Sequence, residues 1–283
     1  MNSRMLHTGS GDSSSAIAAP ARHNARRWSR IAADIAQPVA ALILFVVLWE
    51  VMCRVFKIPA FLVPTPSAIW VDTWKLAGQV SMHTLATTQT VLLGFLASLI
   101  VSLPLAVLIT ASPVIANTIY PLLVLTQSIP KVALAPILVV IFGSNELPRV
   151  VVTFLVAFFP LVLSIAAGIT SVPPELIELG RACRASRWRE LWRIRLPYAV
   201  PFVFSGLKAA ITLSVVGAVV GEFVNADKGL GYLIVTSTAF FQVPLAWGAL
   251  VLLSLLGIIL FQAVVIIEQV FFPWAVDADK QTV

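Results

Sequence analysis

Charge is scarce in this chain. Only 11% of its 283 residues are Asp, Glu, Lys or Arg, against roughly 25% in soluble domains. Cysteine is nearly absent too: Cys53 and Cys183 stand alone in unrelated contexts, which excludes a disulfide framework and any cysteine metal spacing. The three histidines, His7, His23 and His83, have no partner at ligand spacing; two lie in a polar tail and one near a helix start. No G-x-x-x-x-G-K-[ST] occurs, so ATP binding by a P-loop is not expected. No H-E-x-x-H or G-x-S-x-G occurs either, and intramembrane hydrolysis has no obvious residues. No carboxylate pair sits at the centre of two apolar stretches, which weighs against a proton-coupled carrier. Catalytic residues, cofactor and metal are therefore all expected to be none.

What is abundant is apolar: 59% of the residues, with a mean hydropathy of +0.96. That excludes disorder over most of the length and a fibrous repeat, and it points to an all-α polytopic membrane protein. Apolar stretches fall at residues 37–56, 84–111, 119–142, 148–170, 199–221 and 247–271. Each reaches the roughly 20 residues a helical span needs. None shows the alternation of a β-barrel strand. About six transmembrane helices are expected. The net charge of +6 and pI of 9.7 fit basic inner loops of a membrane protein better than nucleic-acid binding. With six spans, one side collects twelve Lys and Arg and the other five, so both termini are expected inside (N-in/C-in). Residues 1–30 read as a disordered basic tail, without the short apolar core and A-x-A site of a cleavable signal. Residues 31–276 read as the membrane domain, and 277–283 as a short tail.

Residues 57–83 are more than a linker. Pro64-Thr65-Pro66-Ser67 predicts a short helix capped by Ser67. Trp70 and Trp74, four apart, share a face suited to the membrane interface. Charges inside spans cost roughly 2.5–3.5 kcal/mol at mid-helix. Glu50 is expected to pair with Arg54 at i,i+4. Gln127, Ser128 and Lys131, beside Pro130, predict a polar kink that either faces a pathway or only packs. Glu222, after the close-contact pattern Gly217-x-x-x-Gly221, is a second pathway or gate candidate. Gly229 and Gly231 predict a turn before a short helix.

Residues 171–197 hold six arginines between 181 and 195. Ser171, Pro173, Pro174 and Glu175 predict a helix start, and Leu176, Ile177, Leu179 and Ala182 a short apolar face. Ser186 predicts the cap of a second short helix with Trp188, Leu191 and Trp192 on one side, ended by Pro197. A loop that only meets lipid phosphates needs a few charges. Two organised helices suit a docking surface for a soluble partner.

In this register the segment resembles the "EAA" loop of the permease subunits of binding-protein-dependent ABC importers. Glu178, Leu179 and Gly180 stand where that family has Glu-Ala-Ala. Arg184 stands at its Gly, followed by Ala185 and Ser186, and Ile194-x-Leu196-Pro197 fits its Ile-x-Leu-Pro. The family Gly permits the bend between two coupling helices, and Arg tolerates φ > 0 poorly. Either Gly180 or residues 183–186 then supply the bend, or the helices meet at another angle. Residues 58–67, 129–136, 158–160 and 221–234 resemble the nitrate/taurine/sulfonate branch, so the likeness covers about 37–272. It implies a multi-pass permease of a bacterial inner membrane, acting as a homodimer. Two ATP-binding subunits would dock at a coupling loop between spans 4 and 5, and a periplasmic or lipid-anchored binding protein would deliver a small, anionic solute. Beyond membrane lipid no further partner is implied, nucleic acid included. The alternative is a self-sufficient secondary transporter or channel.

Overall fold

The computed structural model describes residues 21–275, without the side chains of 21–35 and 113. All the described secondary structure is helical. The chain divides into two units at Ile58. The first holds α1 (Ala21–Val55). Helix therefore covers residues 21–30, which had been expected in the tail. No Gly or Pro interrupts 21–37, and Ala and Arg are strong helix formers. Residues 1–20 and 276–283 lie outside the described residues. In the outer half of α1, Arg54 Nε donates to Glu50 Oε1 at 2.7 Å, the pair expected from the spacing.

The second unit begins with α2 (Pro66–Lys75) and α3 (Ala77–Ala111). The cap of α2 is Thr65, not Ser67: Thr65 Oγ1 accepts from the Ala68 N–H at 3.3 Å. Pro66 at the first helical position fixes the start two residues earlier than expected. Trp70 and Trp74 do share a face; their rings stack at 5.7 Å and both are exposed.

The stretch 119–142 is not one kinked span. α4 (Pro113–Gln127) ends at Ser128, a 3₁₀ turn covers Lys131–Leu134, and α5 (Ala135–Phe142) leaves at an 82° bend. Pro130 lacks an N–H and disfavours helix at Ile129, so the ladder stops there. Five long apolar helices result, or six spans if the broken pair counts as one.

α6 (Leu147–Thr170), α9 (Leu196–Val224) and α3 form the core, with Leu161, Ile165, Ile169 and Ile211 fully buried among them. Gly217 and Gly221 make the expected close contact, and they make it within the chain. A Cβ at Gly217 would lie 2.8 Å from Thr153 Cα of α6, and one at Gly221 3.0 Å from Arg149 Cα. A smaller cluster joins α10 (Leu230–Ala239) and α11 (Val243–Phe271) to Val80 of α3. α11 is apolar along its length yet mostly exposed within the chain, as suits a helix meeting lipid.

Between α6 and α9 come α7 (Pro174–Ala182) and α8 (Arg187–Glu190). Ser171 does not cap α7. Its hydroxyl donates back to the Gly168 carbonyl at 2.9 Å, closing α6, and Pro173 precedes α7 without a side-chain cap. Pro197 does not end the second helix either. A π turn at Leu191–Arg195, where the Leu196 N–H reaches the Leu191 carbonyl, widens the backbone ahead of the proline. Helix is thereby continuous over Arg187–Val224, 38 residues.

Candidate functional site

The paired helices at one end of the bundle meet around a single carboxylate. Glu190 is buried, and its Oε1 accepts from Arg195 Nε at 2.8 Å and Nη2 at 2.7 Å. Its Oε2 lies 3.9 Å from Arg181 on α7. Gly180 sits against Ile194, close enough that a Cβ would fall 2.7 Å from Ile194 Cδ1. The bend comes from residues 183–186 and not from Gly180. The Arg184 N–H donates to the Arg181 carbonyl at 2.9 Å, and the Ala185 N–H to the Gly180 carbonyl at 3.0 Å. Those two bonds define a Schellman turn, whose left-handed position normally takes glycine. Arg184 fills it at φ 53°. The family-like position of the missing glycine is thus the turn residue itself, and arginine adopts the conformation regardless. Ser186 caps α8 as expected, accepting from the Arg189 N–H at 3.3 Å.

Glu178, Leu179, Arg184 and Ser186 face solvent; Ala185, Ile194, Leu196 and Pro197 are half-buried beneath them. Leu176 and Leu179 are exposed, as are Trp188 and Trp192, whose rings meet edge-on at 5.6 Å. Exposed apolar groups thus stand among arginines on one surface, the composition enriched at protein interfaces.

At the other end lies a polar network that sequence reading located only at Glu222. Its carboxylate is buried. Oε1 accepts from Thr87 Oγ1 at 2.8 Å, and Oε2 from the Gly231 N–H at 2.7 Å. Thr87 in turn accepts from the Leu230 N–H at 2.7 Å, and His83 Nδ1 from the Gly229 N–H at 3.1 Å. Gly229 sits at φ 125°, where a Cβ would overlap the Glu222 carboxylate. Both glycines are required by this approach. Arg149 Nη1 donates to the Lys228 carbonyl at 3.1 Å, and Lys228 pairs with Glu146 at 2.6 Å. α3, α6, α9 and the start of α10 are thereby tied together. Buried Glu222 is a tie between helices.

Gln127 and Ser128 lie exposed at the break after α4, far from Glu222 in the fold. Lys131 places Nζ 4.8 Å from the centroid of Phe159, halfway along α6. An ion pair that the sequence reading missed joins two spans: half-buried Lys208 of α9 and buried Glu268 of α11, 2.7 Å apart.

An all-helical bundle with a broken span and a cationic double helix between two spans is the architecture of an import permease. Residues 99–273 match the family described as binding-protein-dependent transport system inner membrane component, and the chain belongs to that family. It is 33% identical over 239 residues to the formylaminopyrimidine transport permease protein ThiX of Halalkalibacterium halodurans, covering 84% of this chain and 95% of that one. It is 34% identical to the riboflavin transport system permease protein RibX of Chloroflexus aurantiacus, over 82% and 88% of the two chains. The taurine transport system permease protein TauC of Escherichia coli is 22% identical over 88% and 92%. In fold it resembles a chain of the inward-facing MetNI methionine ABC transporter: TM-score 0.62, 20% identity, 69% of this chain and 97% of that one. The protein is a multi-pass ABC importer permease of the nitrate/taurine/sulfonate branch.

Proposed function

We propose that two copies of this chain enclose a pathway across a bacterial inner membrane, with both termini inside. Separate ATPase subunits dock on the faces of α7 and α8, and a periplasmic or lipid-anchored binding protein delivers the solute. The observation that carries this reading is the exposed surface of Glu178, Leu179, Arg184 and Ser186, set at the turn into a helix that runs on without a break through α9. A rigid contact can pass an ATPase movement into α9; a flexible loop would absorb it. Apolar side chains exposed along α4 and α5, among them Tyr120, Leu122, Leu125 and Val140, supply a face for the second copy.

The pathway runs along the broken span. Gln127, Ser128 and Lys131 are its polar groups, and the freed backbone around Pro130 is tolerated where it lines a cavity. Lys131, a cation halfway along the bundle, favours a small anion as cargo. Glu222 serves the pathway as a fixed anchor of α10 and lines no part of it. The relatives named for formylaminopyrimidine, riboflavin and taurine bracket small solutes.

The test is reconstitution with ATPase and binding protein. Glu178→Lys should abolish ATP-driven uptake while leaving the chain in the membrane and hydrolysis running. Normal uptake by that variant removes the coupling role. Uptake that persists without ATP would favour a self-sufficient carrier.

A further inference from the structure

Where α7 and α8 approach the end of α3 lies a cleft of about 370 Å³. One wall is the last turn of α3, with Val107, Thr110 and Ala111; the other carries Arg181, Arg187, Trp188 and Arg195. We propose that this cleft holds the phosphate headgroup of an anionic phospholipid.

Three guanidinium groups face the cleft with a single carboxylate, Glu190. That carboxylate is already engaged by Arg195 at 2.7 Å and Arg181 at 3.9 Å. Among the described residues Arg187 has no ion pair. The cleft therefore keeps an excess of positive charge, carried by planar forks suited to bidentate phosphate binding. Glu190 orients two of the arginines from below, so the site is built before any ligand arrives.

The position of the cleft selects a lipid over a soluble anion. Its α3 wall is the final turn of an apolar span of 35 residues, and the end of a span is where lipid headgroups are met. Val107, Ala111 and Leu191 form an apolar strip leading from the guanidiniums toward the span, as an acyl chain requires. Trp188 beside them and Trp192 next to it are exposed, and tryptophan favours the headgroup level. Basic pockets between helices on the inner side of a membrane bind phosphate headgroups by this chemistry. The inference does not depend on the docking of an ATPase, because Arg187 and the α3 wall lie outside the Glu178–Ser186 face, and of the cleft's arginines only Arg181 is shared with it.

The experiment uses the full-length chain in nanodiscs of phosphatidylcholine with a minor share of phosphatidylglycerol, released for native mass spectrometry. The wild type should retain one phosphatidylglycerol per chain in preference to phosphatidylcholine. Arg187→Ala should lower that occupancy about tenfold, the loss of one charge-assisted contact. Arg189→Ala, a loop arginine outside the cleft, should leave it unchanged. Thr110→Glu, which sets a carboxylate in the cleft without touching the arginines, should mimic Arg187→Ala. Equal retention of both lipids, or equal loss on both arginine substitutions, would overturn the proposal. Displacement of the lipid by inorganic phosphate alone, with no lipid preference left, would assign the cleft to a free anion instead.

Discussion

Arg184 holds a backbone conformation that costs an L-residue with a Cβ about 1–2 kcal/mol, because its N–H and that of Ala185 complete the Schellman turn. Arg184→Gly should therefore stabilise the protein by about 1 kcal/mol once the looser unfolded chain is counted, read as a higher melting temperature in nanodiscs. A lower melting point would mean that the guanidinium itself holds the bend. Glu222 behaves oppositely, since its burial is matched bond for bond. Glu222→Gln would set an amide N–H2 against either Thr87 or the Gly231 N–H, leaving a buried group unmatched at about 1–3 kcal/mol. Faster hydrogen exchange at the amides of residues 229–233, with α6 unchanged, is the expected sign. The spacing of residues 178–197 was readable because it is local: each position is fixed by its neighbours along the chain. Thr87 and His83 were not, because nothing near them in sequence announces a carboxylate 135 residues away.

Among the elements, the long spans announced themselves by hydropathy, and their breaks and caps did not. Residues 119–142 are apolar throughout, so composition reads one helix, and only the geometry at Ser128–Pro130 turns it by 82°. Pro197 carried the reverse error. A proline alone reads as a stop, yet the π turn before it accommodates the ring and lets the helix run on. Lys208 and Glu268 illustrate a third limit: each is a lone charge in its own span, and only the packing of α9 on α11 makes them a pair. Removing Lys208 leaves the buried Glu268 carboxylate uncompensated. Lys208→Ala should destabilise by about 3–5 kcal/mol, whereas the double change Lys208→Leu with Glu268→Leu should come close to wild type. A double-mutant cycle on thermal unfolding checks it; additive single effects would show that the two charges act apart. Gly217→Leu, forced against Thr153 Cα, should cost about 1–3 kcal/mol by overpacking.

For the whole molecule, orientation can be read from its two thiols. Cys183 is exposed on the paired-helix loop and Cys53 is buried. A membrane-impermeant maleimide should label Cys183 only when it has access to the inner side, and Cys183→Ser should abolish that labelling. Labelling from outside in sealed, right-side-out vesicles would invert the topology. The distribution of charge sharpens the same point: six arginines lie within residues 181–195, so the polar part of a mainly apolar chain is concentrated where two helices meet water. The uninterrupted helix Arg187–Val224 then acquires a mechanical meaning. At 38 residues it is about 57 Å long, with the arginine-bearing end at one extremity and Glu222 at the other. It packs on α6 from Ala199 to Gly221. One stiff element therefore joins the surface around Trp188 to the Glu222 network at the opposite end, so the two ends cannot move independently of each other.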